Sequence, residues 1–314
     1  MEKRICLIHY TSAPGGIEVL MPEIIRGLSG ERFSVFVIRP PEKGAISVYE
    51  GCNIDVSYGS LSNFTAVMAL WRFVRKNRRS VFHEFNTGPF FLLVTHLAGA
   101  KKVVYSVRGT IHYSNILQKV ARKMVWDLVI ARGCTFLANS EYSRDVFVNF
   151  IPRVKPHIRV IYNPVYSSRI KARDENNGEG GLNICYVGRL ADGKNLFRWI
   201  DAAAAIHKER GDAIFHLYGE GPLRRNLIEY SITAGMSEYL FFEGYVKDLS
   251  EIYSNADLML FLSTHESFGN VVVESILYGT PVLVADIPSM REIFRNFPEF
   301  ILPLNESLVP GIMG

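Results

Sequence analysis

Cysteine is scarce and never paired along the chain. Cys6, Cys52, Cys134 and Cys185 are the four among 314 residues, and their wide spacing excludes a CxxC metal knuckle and a dense disulfide framework. Three of them lie in or beside apolar runs and read as buried, reduced thiols. Long apolar runs are missing as well. No stretch reaches the roughly 18–20 residues of a membrane-spanning helix, and residues 89–100 contain His96 and lead into Lys101-Lys102, so they read as a core helix. No secretory leader is expected, because Glu2-Lys3-Arg4-Ile5-Cys6-Leu7-Ile8 already reads as a short strand. That points to a reducing cytoplasm. No collagen, heptad or solenoid period occurs, and no Asp-x-Asp pair offers itself to a divalent metal.

What remains is an ordinary globular composition, 48% hydrophobic and 21% charged. The length suits two α/β domains of about 150 residues each. Charge is uneven between the halves. Residues 1–165 hold 22 Lys and Arg against 11 Asp and Glu, whereas residues 166–314 hold 13 against 20. The basic half contains Trp71-Arg72-Phe73-Val74-Arg75-Lys76-Asn77-Arg78-Arg79, and also Lys119, Arg122, Lys123 and Trp126 at helical spacing. Such a basic, aromatic face can rest on anionic lipid or bind nucleic acid, and it can equally be a solvated helix end.

Along the chain, short apolar runs alternate with helical patterns. Strands are expected at the start, at 33–38, 81–85, 103–107, 135–138 and 159–161, with helices at 66–76, 90–97 and 116–129 between them. Strands separated by helices imply a parallel sheet covered on both faces, and such sheets bind ligands outside the carboxyl ends of their strands. The polar stretch 171–181 reads as a linker. The domains are therefore placed at 1–165 and 166–314, the second restarting with the strand Leu182-Asn183-Ile184-Cys185-Tyr186-Val187.

Chemistry gathers in the second half. The run Asp257-Leu258-Met259-Leu260-Phe261-Leu262 reads as a buried strand, and a helix should open at Gly269 or Asn270 and close at Gly279. Glu266 then precedes the helix, while Glu274 lies about 7 Å inside it. Between them the backbone amides of Gly269, Asn270 and Val271 favour a phosphate or diphosphate. A nucleotide-sugar fits that layout, presenting ribose to one carboxylate and hexose to the other. The plainer alternative is that Glu266 caps the helix and Glu274 faces solvent. A second loop, Gly188-Arg189-Leu190-Ala191-Asp192-Gly193-Lys194-Asn195, sets two cations five residues apart at a strand end. Arginine can grip a diphosphate as a fork and lysine as a point charge. Gly15-Gly16, after the first strand, permits close backbone approach to a ligand, but it is not the spaced dinucleotide fingerprint.

The segment from Glu266 to Glu274, with Phe268-Gly269 inside it, resembles the glutamate-seven-glutamate motif of the retaining GT-B glycosyltransferases of family 4 (glycosyl transferases group 1). Gly15-Gly16, Asn139-Ser140, Gly188-Arg189-Leu190 with Lys194-Asn195, Gly219-Glu220-Gly221-Pro222 and Asp286-Ile287-Pro288 match further landmarks of that family. The resemblance implies two Rossmann-like domains facing across a cleft. It implies an amino-terminal acceptor-binding domain, a carboxyl-terminal nucleotide-sugar domain, and closing helices beyond the point where this chain stops at Gly314. The implied reaction moves a hexose from a UDP- or GDP-sugar to a glycan or lipid-linked acceptor, with retention, without a cofactor or metal, and in cell-surface polysaccharide synthesis. Gly15, Gly16, Arg189, Lys194, Val246, Glu266, Phe268, Gly269, Asn270, Val271 and Glu274 would hold the donor. Arg108 stands where the family often has a histidine facing the reacting sugar, and His112 follows four residues later, so either can fill that role. A nucleotide-sugar epimerase and a non-catalytic nucleotide-sugar-binding homologue are the competing readings. The expected location is cytoplasmic, peripheral at the inner membrane face, with nucleic acid not a partner.

Overall fold

The computed structural model describes residues 4–11, 20–28, 31–40, 49, 54–109, 116–165, 181–246 and 248–304. It divides into two compact units, Met1–Pro164 and Val165–Gly314.

The first unit is built from β1 (Arg4–His9), α1 (Leu20–Gly27), β2 (Arg32–Val37), β3 (Asp55–Tyr58), α2 (Asn63–Lys76), β4 (Val81–Phe85), α3 (Pro89–Leu97), β5 (Lys102–Val107), α4 (Ile116–Ala131), β6 (Thr135–Ala138), α5 (Glu141–Phe150) and β7 (Ile158–Val160). Its seven strands are all parallel, in the order β3-β2-β1-β4-β5-β6-β7. Buried from both sides, β1 and β2 carry near-continuous apolar runs rather than an alternating pattern, as a parallel sheet between helix layers requires. The helices show one-sided burial instead. In α2, Ala66, Leu70, Phe73 and Val74 recur at helical spacing and turn inward. Ser140 starts α5 by accepting a hydrogen bond from the Ser143 amide at 2.9 Å, a cap typically contributing about 1 kcal/mol.

The second unit contains β8 (Asn183–Val187), α6 (Leu196–Glu209), β9 (Ile214–Tyr218), α7 (Arg224–Thr233), β10 (Leu240–Gly244), α8 (Ser250–Asn255), β11 (Leu258–Phe261), α9 (Asn270–Leu277), β12 (Val282–Ala285), α10 (Pro288–Ile293) and β13 (Ile301–Leu302). Its six strands are again parallel, ordered β10-β9-β8-β11-β12-β13. Trp199 fixes α6 to the sheet by burying its indole and donating Nε1–H to the Leu260 carbonyl at 2.9 Å.

In each unit the strand order reverses beside the first strand, between β1 and β4 and between β8 and β11. Consecutive crossovers leave toward opposite faces at such a switch point, and the loops there part to form a crevice at the carboxyl ends.

Two expectations from sequence change. β3 was not anticipated, because this edge strand is short, polar and mostly exposed and so carries no apolar run. Trp126 does not belong to a basic surface. It is 3% exposed and meets Tyr105 and Phe147 edge-on, each at 5.1 Å between ring centroids, while Lys119, Arg122 and Lys123 on the same helix are exposed. Cys6, Cys134 and Cys185 are buried and free, with burial pushing the Cys6 thiol up to about 11. Cys52 lies outside the described residues.

Candidate active site at the second switch point

Two loops border the reversal in the second unit, one after β8 and one after β11. The first begins at Gly188 and is held close to the loop after β9. A Cβ built on Gly219, whose φ is +138°, would come within 1.9 Å of the Gly188 carbonyl oxygen, so no side chain fits there. Tyr186, buried in β8, donates its hydroxyl to the Arg189 carbonyl at 3.2 Å and steadies the turn from below. Burial, reinforced by the charge of Glu266, raises the Tyr186 pKa and keeps this hydroxyl protonated.

The loop after β11 is tied directly to the first. Thr264 donates its amide at 2.9 Å and its hydroxyl at 3.2 Å to the Gly193 carbonyl. One residue beyond Gly193, Lys194 forms an ion pair with Glu266. The two side chains are 24% and 16% exposed, respectively, so they sit in a partly dry setting where Coulomb forces are stronger than in water. The Lys194 ammonium also lies 5.8 Å from the centroid of the Phe261 ring. Arg189, on the same loop, is exposed.

After Glu266 the chain buries Phe268 and starts α9. Gly269 is the N-cap, at φ +93° and with no side-chain cap. Glu266 therefore does not cap the helix, because its carboxylate is engaged by Lys194 instead. A Cβ on Gly269 would come within 2.7 Å of Met290 Cε on α10, so both its backbone angle and its surroundings call for glycine. Asn270 and Val271 open the helix, where first-turn amides and the macrodipole favour an anion.

Glu274 lies in the fifth position of α9 and is half-buried, not solvated as the plainer sequence reading had it. Burial raises its pKa above the ordinary 4.5, with the nearby Tyr253 hydroxyl, which donates to the Val271 carbonyl at 3.1 Å, partly offsetting this. Its Oε2 is buried with no hydrogen-bond partner among the described residues. A buried acceptor left that way is costly, and a ligand hydroxyl would satisfy it. Val246, which follows β10, is half-buried at the same carboxyl edge but two strands away from β8.

Comparison with known proteins agrees with this layout. A family model described as Glycosyltransferase Family 4 matches residues 14–169, and one described as Glycosyl transferases group 1 matches residues 168–307. The chain belongs to the family 4, group 1 glycosyltransferases. Among relatives in this family, 2-deoxystreptamine glucosyltransferase of Streptomyces kanamyceticus is 29% identical over 153 residues, which is 48% of this chain and 40% of that protein. The Vi polysaccharide biosynthesis protein VipC/TviE of Salmonella typhi is 24% identical over 227 residues, 64% of this chain and 37% of the relative. These matches thus span less than half the length of either relative. The fold is that of GT-B glycosyltransferases. The crystal structure of Anabaena HepE in complex with UDP-glucose superimposes with a TM-score of 0.79 at 19% identity, covering 99% of this chain and 88% of that one.

Of the site residues expected from this glycosyltransferase family, Lys194 and Glu266 are brought into contact. Phe268, Gly269, Asn270, Val271 and Glu274 continue from the same loop into α9. In the first unit, Arg108 follows β5, donates from Nη1 to Asn163 Oδ1 at 2.5 Å and lies 5.3 Å from the Phe85 ring centroid. Gly15, Gly16 and His112 fall outside the described residues. Sequence reasoning missed Thr264, Tyr186 and Tyr253. The first joins the two loops, and the other two donate to the Arg189 carbonyl and to the Val271 carbonyl in the first turn of α9; a single hydroxyl residue carries no sequence pattern that would reveal such roles.

Proposed function

We propose that the chain is a retaining hexosyltransferase that takes its sugar from a nucleoside diphosphate, UDP or GDP, and passes it to a glycan or lipid-linked acceptor in cell-surface polysaccharide synthesis. One observation carries this reading: the Lys194–Glu266 pair stands at the β8/β11 switch point on the approach to the α9 N-terminus. A diphosphate at the helix mouth would gain Lys194 as a preplaced cation and Arg189 as a fork. Both charges, with the amides of Gly269, Asn270 and Val271, would act on negative charge as it grows on the departing group, where stabilisation accelerates reaction rather than merely tightening binding. No metal is then required for that task.

Glu266 accepts hydrogen bonds from hexose hydroxyls and Glu274 from the ribose, filling its unpartnered Oε2. Phe268 seats the loop, Val246 borders the nucleobase, Gly15-Gly16 approaches the donor phosphate, and Arg108 or His112 faces the sugar. Retention follows from attack on the face that the diphosphate leaves, with the departing phosphate oxygen taking the acceptor proton. A lipid-linked acceptor agrees with a peripheral place at an anionic membrane. On α4, Ile116, Leu117, Val120 and Met124 are exposed beside Lys119, Arg122 and Lys123, a composition suited to a lipid surface. No helix among the described residues is long and apolar enough to cross a membrane.

The test is a donor screen followed by turnover. UDP- and GDP-sugars are compared for thermal stabilisation, and the stabilising donor is then supplied with glycan and lipid-linked acceptors in the presence of EDTA. Transfer with an unchanged anomeric configuration is expected. Interconversion of the donor with no acceptor present would identify an epimerase, and binding with no turnover on any acceptor would identify a sugar-nucleotide-binding protein.

A further inference from the structure

The first unit has a cationic cleft at the amino ends of β4 and β5, the edge of the sheet away from its strand-end loops. Its volume is about 580 Å³ and it is lined by Arg75, Arg78, Arg79, Lys101 and Lys102 together with Ser80, Ala98 and Gly99. Arg75 belongs to the last turn of α2, Arg78 and Arg79 to the connection into β4, Lys101 to the connection between α3 and β5, and Lys102 to the first position of β5. All five cations are exposed. Arg4, at the start of neighbouring β1, reaches Asn77 Oδ1 at 3.5 Å and adds to the positive rim.

A helix carboxyl end attracts cations by itself, and two helices, α2 and α3, end here. Each contributes roughly half a negative charge, so together they offset about one of the five positive charges. Among the described residues no carboxylate lines the cleft. The helix ends therefore cancel only part of the positive charge that lines the cleft.

We infer that this cleft is a binding site for a phosphate-bearing polyanion, distinct from the donor site of the second unit. Arginine forks suit carboxylate and phosphate alike. Charge density separates the two, since a phosphate monoester carries up to about two negative charges and a carboxylate one. Several phosphates close together match five cations in this volume. Such a ligand is either a free polyphosphate or the phosphate layer of an anionic lipid surface.

Inorganic tripolyphosphate, titrated calorimetrically into the whole chain with saturating UDP present, tests this. Saturable binding is expected, with a variant carrying Arg78→Glu and Lys101→Glu losing affinity roughly tenfold or more while its melting temperature stays near that of the wild type. A charge-preserving pair, Arg78→Lys with Lys101→Arg, should retain most of the affinity. Wild-type affinity in the charge-reversed variant, or no saturable binding by the wild type, would overturn the site. Displacement of tripolyphosphate by phosphatidylglycerol vesicles but not by phosphatidylcholine vesicles would identify the lipid source, and failure of both to displace it would identify a free polyphosphate; either sustains the inference. GDP is added with UDP so that either nucleotide fills the donor site. The difference between wild type and the charge-reversed variant reads the cleft alone, because Arg78 and Lys101 lie outside the residues proposed for the donor; the outcome is therefore separable from that of the donor proposal.

Discussion

The two sheets share one strand order through the sixth strand, yet they treat ionisable groups at their switch points differently. In the second unit the loops after β8 and β11 keep Lys194 and Glu266 paired and partly open to solvent. In the first, His9 on β1 and Glu84 on β4 are sealed, and His83 beside them is half-buried. His9 is fully buried against the Tyr49 hydroxyl at 2.7 Å, and burial pushes its pKa down to about 4. His83, hydrogen-bonded to Ser106 at 2.8 Å, is pushed down to about 3 by burial and then by the charge of Arg108. Glu84 is fully buried, accepts from Thr87 Oγ1 at 2.5 Å and is raised to about 7 by burial. Topology offers each sheet a crevice, but side-chain placement decides whether it presents a paired, accessible lysine and glutamate to a ligand or buries its ionisable groups in packing.

The most severe way to break this contrast is to remove the charge pair. Glu266→Ala should lower kcat at least about a hundredfold, the scale seen when a preorganised polar contact to the transition state is lost, while the melting temperature changes little. Steady-state kinetics with the donor from the screen checks it, and near-wild-type turnover would remove Glu266 from the chemistry. Gly269→Ala comes next. Its left-handed φ costs a non-glycine residue about 1–2 kcal/mol, and Met290 Cε must move aside. Urea unfolding should show a loss of that size, and adding Met290→Ala should leave the backbone part of the loss in place. Glu274→Ala should weaken donor affinity about tenfold, near 1.4 kcal/mol, and leave kcat largely intact, because a ribose contact is made equally in ground and transition states. A loss confined to kcat would instead put Glu274 at the reacting sugar.

Much of this contrast was readable beforehand for the second unit and little for the first. The apolar run at β11, the glycine opening α9 and the glutamates eight positions apart are local patterns that the chain cannot express without a strand, a turn and a helix, so Glu266, Gly269 and Glu274 could be placed in order. That Lys194 would meet Glu266 was not legible, since it depends on β8 and β11 being neighbours across a crossover. Trp126 was misjudged because its helical spacing to Lys119, Arg122 and Lys123 was counted without knowing which face of α4 the sheet covers. Within the strand expected at 81–85, nothing singled out His83 and Glu84. Glu84 is buried and His83 half-buried between neighbouring strands, and short strands such as VFHEF carry no sign of how deeply either face is covered.

The mildest test sharpens the sealed side of the comparison. Glu84 keeps its proton in the folded state up to about pH 7, whereas the unfolded chain ionises from its ordinary 4.5. The folded state thus binds more protons across that interval, and stability, fully present below 4.5, falls as pH rises toward 7. Glu84→Gln removes the titration while an amide oxygen can still accept from Thr87. It also brings an amide N–H that must find a partner in the same buried space, which limits the gain. A rise in melting temperature of about 2–4 °C at pH 8, roughly 1 kcal/mol for a unit of this size, is expected, with little change at pH 5. Calorimetry across pH 5 to 8 should show the wild-type slope flattened in the variant. An unchanged slope would mean that Glu84 ionises at its ordinary pH, and that the first switch point is more open to water than its packing implies.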